Sequence, residues 1–231
     1  MAPHHAFTGF ALDGTTPKLT VARQTFGGMW IDNVGWLQGE ANVIRKALPE
    51  AATQPLIVPR LAIMHSNAGP TKQSWWNLWQ YLARDTITHE AHCMPQMDGT
   101  MVQAMPFVRR ADCNYKANRW LHNGTYYGAI SFETQDNGSP TLATTPWTLA
   151  QITSMANALA AACVAYRIPC TAVTSYHGAG IGYHSQFPEW SVYTGKTCPG
   201  AARIRQMDHL RHMVAQRVAA FYNLCGGSCP S

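Results

Sequence analysis

The segment "PLIVPRLAIMH", residues 55–65, decides the fold. Aliphatic and β-branched residues fill it with no helical spacing, so it reads as a buried strand ending at His65. "SNAGPTK" after it is a loop. Working outward, "TKQSWWNLWQYLARD" puts Trp75, Trp79 and Leu82 on one helical face, with Trp76 adding width and Thr71 as cap. "EAHCMPQMDGTMVQAM" predicts two strands about an Asp98-Gly99 turn, and "YYGAISFET" a further strand. "TLAQITSMANALAAACVAY" repeats Leu149, Ile152, Ala156, Leu159 and Cys163 at helical intervals. "IPCTAVTSYH" predicts the next strand. "AARIRQMDHLRHMVAQRVAAFYN" predicts one long terminal helix with Ile204, Met207, Leu210, Val214, Val218 and Phe221 on one face. Strands alternate with helices, so the expected class is α/β, with a central mixed β-sheet flanked by helices. Residues 1–50 are Gly-rich and weakly patterned, with one short helix expected near 39–48. They are expected to form an N-terminal extension packed on a core domain, 51–231.

The composition bounds the function. Charged residues are 13% of the 231, below the usual quarter, and the formal net charge is +5. Lys and Arg are scattered rather than clustered, which argues against nucleic acid as a partner. The charge suits solubility alone, or an anionic partner such as a bacterial cell wall. No apolar run approaches the ~20 residues of a membrane span. The start, "MAPHHAFTGFALDG", has neither a basic n-region nor an apolar h-region, so no secretory signal is expected in it. Seven Cys is an odd number, so at least one is left out of any pairing. Cys163 with Cys170, and Cys225 with Cys229, are the pairs close enough in sequence to bridge.

The chemistry lies in the His and Cys residues. "THEAHC" fails as a zincin motif, because His92 follows His89 by three residues and the segment runs into the Asp-Gly turn. His89 and His92 are expected on strand faces. His65 ends a hydrophobic strand, where α/β sheets place their sites. "GIGYHSQFPEWSVYTGKTCPG" carries His184 and, further on, Cys198. Two imidazoles and a thiolate make a three-ligand zinc site with a fourth position open to solvent, the catalytic pattern. His177 in "SYHGAG" rivals His184, and spacing alone does not separate them.

The set "IMHSNAG", "GAISFET", "GYHSQFP" and "GKTCPG" resembles the zinc-dependent N-acetylmuramoyl-L-alanine amidases, a superfamily that includes amidase-type phage endolysins and peptidoglycan recognition proteins. The likeness covers roughly residues 56–222. It implies a Zn2+ cofactor held by His65, His184 and Cys198, which favours His184 over His177. It implies Glu133 as general base and then general acid, and Lys196 as stabiliser of the oxyanion. Some phage members place a Tyr before a His on the strand entering the Asp-Gly turn. Ala91 stands there in this chain, so more weight falls on Glu133, and a contribution from Glu90 stays open. Asn114, Asn118 and Arg109 are expected at the substrate groove, and the Trp75, Trp76 and Trp79 cluster is expected to pack rather than bind sugar. The implied activity is cleavage of the bond between N-acetylmuramic acid and L-alanine in peptidoglycan. The implied setting is a monomeric phage endolysin made in the host cytoplasm and acting on the wall. The alternative is a recognition module that binds peptidoglycan without cutting it.

Overall fold

The computed structural model describes residues 25–39, 42–67, 74–84, 89–136, 145–195 and 197–225. A small hairpin pairs β1 (Trp30–Ile31) with β2 (Leu37–Gln38). The main sheet contains β3 (Val43–Arg45), β4 (Val58–Ser66), β5 (Cys93–Pro95), β6 (Met101–Gln103), β7 (Trp120–His122), β8 (Thr125–Thr134) and β9 (Gly180–Tyr183). Its order is β3-β6-β5-β8-β4-β9, with β7 pairing β8. β5 runs antiparallel to β6 and β7 to β8, and the other pairs are parallel, so the sheet is mixed as expected. The helices are α1 (Trp75–Leu82), α2 (Leu149–Tyr166), α3 (Ala201–Ile204) and α4 (Met207–Leu224).

β4 forms because an unbroken apolar run, Leu61 to Met64, lies at its centre and both of its faces are covered. Ala62 and Met64 face the core that α2 and α4 complete, while Leu61 and Ile63 join Ala129, Val173 and Trp190 on the other face. Side chains alternate along a strand, so His65 follows Leu61 and Ile63. Pro59 has no N–H to give the ladder, and the register shifts between Pro59 and Leu61. α1 packs Leu78 and Leu82 against Met94, Val102 and Met105. The N-caps are Ser74 for α1 and Thr148 for α2, each accepting a backbone N–H three residues on, a contact typically worth ~1 kcal/mol. Thr71 lies outside the described residues. Gly99, at φ 91, makes the turn between β5 and β6.

Three expectations change, and one pairing that the sequence leaves open is resolved. Residues 43–45 are an edge strand instead of a helix, because β-branched Val43 and Ile44 pair in register with Met101 and Val102 and Pro49 follows closely. "IPCTAVTSYH" makes only an isolated bridge, Ala172 to Ile181, and the strand beside β4 is Gly180–Tyr183. Of residues 171–176 only Val173 is buried, so that segment has no second face to pack. The terminal helix breaks at Arg205 and Gln206, where the Gln206 amide bonds both the N–H and the carbonyl of Trp147. Cys163 and Cys170 are not joined by a disulfide, and Cys229 lies outside the described residues.

Described residues before 50 join the same core. Phe26, Met29, Ile31 and Leu37 are buried with α2 and α4, and Phe26 stacks on Phe221 at 5.4 Å. By length and composition α2 could cross a membrane, but most of it is buried as the central core helix.

Candidate metal centre and active site

The site assembles at the C-terminal ends of three neighbouring parallel strands, the expected place in an α/β sheet. His65, next to last in β4, is the register partner of Glu133 in β8, so both point to one face. His184 follows β9 directly. Cys198 arrives on the loop before α3, where Ser185 N–H donates to the Cys198 carbonyl at 2.9 Å and Gly200 at φ 97 closes the turn. The ligand atoms of His65, His184 and Cys198 lie within 4.8 Å of one another. The two imidazole centroids are 4.3 Å apart, and all three residues are buried.

Both rings are oriented from behind. His65 Nε2 lies 2.8 Å from Asn114 Oδ1, and His184 Nε2 lies 2.9 Å from the Trp190 carbonyl. Oxygens of that kind only accept, so each Nε2 carries the proton. Nδ1 is then the unprotonated nitrogen, the state a metal ligand needs, and such outer partners are the usual companions of metal-bound His. Trp190 can approach because residue 182 is Gly: a Cβ there would come within 2.8 Å of the Trp190 ring. The Cys198 Sγ accepts the Ser66 backbone N–H at 3.2 Å. Glu133 Oε2 stands 3.7 Å from His65 Nδ1. Two imidazoles and a thiol suit zinc, and the donor set fits it.

A cavity of about 690 Å³ opens over this cluster. His65, Glu133, His184 and Cys198 line it, with the exposed rings of Tyr81, Tyr115 and Tyr193. Cys113, unremarked in the sequence, also lines it, with Sγ 3.8 Å from His65 Nε2. Burial pushes the Cys113 thiol well above its ordinary range. Asn118 lines the cavity too. It accepts Asn114 N–H and donates to Asp112 at 3.4 Å, organising the turn beside His65.

Other residues lie elsewhere. Asn114 is fully buried behind His65 instead of facing the groove. Arg109 is turned away, donating to the Gln54 carbonyl at 2.8 Å. His177 is outside the cluster, stacked on Trp120 at 4.7 Å. His92 is fully buried and precedes β5. Its Nδ1 accepts Ser131 N–H, its Nε2 donates to the Arg109 carbonyl, and burial lowers its pKa to about 4. Glu90 is buried beside Asp112 and does not line the cavity. Trp76, which is 41% exposed, stacks on half-buried Trp79 at 5.3 Å with the Lys46 ammonium over both rings, so the cluster is only partly packed. Lys196 lies outside the described residues.

The mixed sheet flanked by helices matches solved structures of the amidase and peptidoglycan recognition fold. The N-acetylmuramoyl-L-alanine amidase LysC from Clostridium intestinale URNW aligns over 76% of this chain and 99% of its own, at TM-score 0.52 and 14% identity. A mutant endolysin from Bacillus subtilis aligns over 76% and 99%, at 0.51 and 17%. The Drosophila peptidoglycan recognition protein SD aligns over 73% and 94%, at 0.51 and 12%. No curated protein sequence matches the chain. The profile of the N-acetylmuramoyl-L-alanine amidase family matches residues 54–201, well over half of the chain, and the chain belongs to that family.

Proposed function

We propose that this protein hydrolyses the amide bond between N-acetylmuramic acid and L-alanine in peptidoglycan, with zinc held by His65, His184 and Cys198. The observation that carries this reading is the convergence of those three ligand atoms within 4.8 Å, beside Glu133, under an open cavity. Zinc in such a site supplies Lewis acidity and lowers the pKa of water towards 7. The Glu133 carboxylate takes the proton of the attacking water and then delivers it to the leaving nitrogen, as general base and then acid. The C–N bond breaks as the new C–O bond forms, giving a lactyl carboxylate and an alanine amine. Asn114 and the Trp190 carbonyl hold the imidazoles in one tautomer. Lys196, two residues before Cys198, is assigned to the developing oxyanion, a role whose loss typically costs ~3 kcal/mol of barrier.

The setting that fits best is a phage endolysin, made in the host cytoplasm and acting on the wall as a monomer. The test is clearance of purified cell walls, with product analysis, before and after chelation and zinc return. A new lactyl carboxylate with a new alanine amine, lost on chelation and restored by zinc, is expected. Wall binding without cleavage would make the protein a recognition module. Cleavage at another bond would make it a different amidohydrolase.

A further inference from the structure

Resting on the zinc amidase reading, we infer that Arg203 is a positioning residue, a buried guanidinium that ties the end of β8 to the Cys198 turn from behind the sheet. Arg203 is only 2% exposed. It lies in α3, just past the Cys198 turn. Its fork reaches three acceptors: Nε donates to the Thr145 carbonyl, Nη1 to Thr134 Oγ1 and Nη2 to the Gln135 carbonyl, each at 3.1 Å. Thr134 is the residue after Glu133, and its hydroxyl donates to the His65 carbonyl while accepting the Trp147 indole N–H at 3.0 Å. One proton given and two bonds accepted use the whole capacity of that hydroxyl.

Strand alternation places Thr134 on the face opposite Glu133, so Arg203 acts through Thr134 and the backbone, without touching substrate. The guanidinium also lies within electrostatic range of Asp136, Cys198 and Glu133. Ser66 completes the link, donating its hydroxyl to Asp136 Oδ2 at 2.8 Å and its N–H to Cys198 Sγ. One cation therefore fixes the spacing of the thiol, the first imidazole and the carboxylate, which reach the site on three separate stretches of chain. Burying a guanidinium is costly unless it is fully bonded, and a helix start needs no such group. A lysine ammonium cannot reproduce the planar fork.

The test uses the full chain loaded with Co2+, whose thiolate charge-transfer band reports the ligand geometry independently of turnover. Arg203→Met and Arg203→Lys are compared with wild type for that band, for Co2+ affinity and for kcat against KM. Arg203→Met is expected to weaken Co2+ binding up to about 10-fold, the low end for loss of a partner bonded directly to a ligand, because Arg203 acts one bond further out. It should also shift the band and lower kcat with little change in KM, with Arg203→Lys between the two. Thr134→Val, which removes the linking hydroxyl, should move the band the same way, and Thr134→Ser should restore it. If Arg203→Met does not fold, the Thr134 pair carries the test. A folded Arg203→Met, or a Thr134→Val, with wild-type band and affinity would overturn the inference and leave the amidase reading intact. A wild-type protein that binds no Co2+ would overturn the metal reading itself.

Discussion

Replacing Glu90 with Gln should stabilise the protein at alkaline pH and leave it unchanged at acid pH. Glu90 is 5% exposed, and its Oε2 is buried with no hydrogen-bond partner. Burial chiefly, with Asp112 and Glu50 nearby, pushes its pKa up from 4.5 to about 7. The folded protein thus holds a proton that the unfolded chain releases between those values, so stability falls as pH rises through that window. At 1.36 kcal/mol per pH unit, the cost when both states are ionised is about 3 kcal/mol. For a chain of this size that corresponds to roughly 6–12 °C in Tm. Glu90→Gln keeps the shape and removes the charge. Calorimetry at pH 8 should show most of that gain, and at pH 4.5 almost none, with metal content held equal. Equal melting of the two proteins at pH 8, or the same gain at both pH values, would refute the argument.

Cys198→Ser should lose zinc and wall hydrolysis together, read by metal analysis and turbidity. Glu133→Ala should keep its zinc and lose at least ~100-fold in turnover, the usual scale for general acid–base work; wild-type turnover would remove Glu133 as the base. His184→Ala should abolish metal binding, while His177→Ala, whose ring stacks on Trp120, should bind metal normally. Asn114→Leu should weaken metal binding about 10–100-fold, measured by competition with a chromophoric chelator.

Residue types and periods made much of this legible. The aliphatic run ending in His65 announced both the central strand and the position of the site. The Asp98-Gly99 turn, with its positive φ, was readable because few residues adopt that backbone. The break after Ile204 was hidden, because the heptad-like spacing continues through it and only the distant Trp147 backbone explains it. The strand at Val43 was hidden for a similar reason, since its partner β6 lies far along the chain. Asn114 reads as a groove residue only because its segment borders the substrate groove in the family it resembles; its bond to His65 is a tertiary contact that no local pattern encodes. Arg203 read as one of many scattered basic residues, and only its burial sets it apart.

The pairing of β4 with β8 carries a wider consequence. Because His65 and Glu133 are direct neighbours across that ladder, the sheet cannot form correctly without setting the imidazole and the acid side by side. A slip of one residue would send Glu133 through to the helical core, where a carboxylate is not tolerated. Half of the proposed catalytic apparatus is thus set by folding itself, through strand register and not through any bound ion.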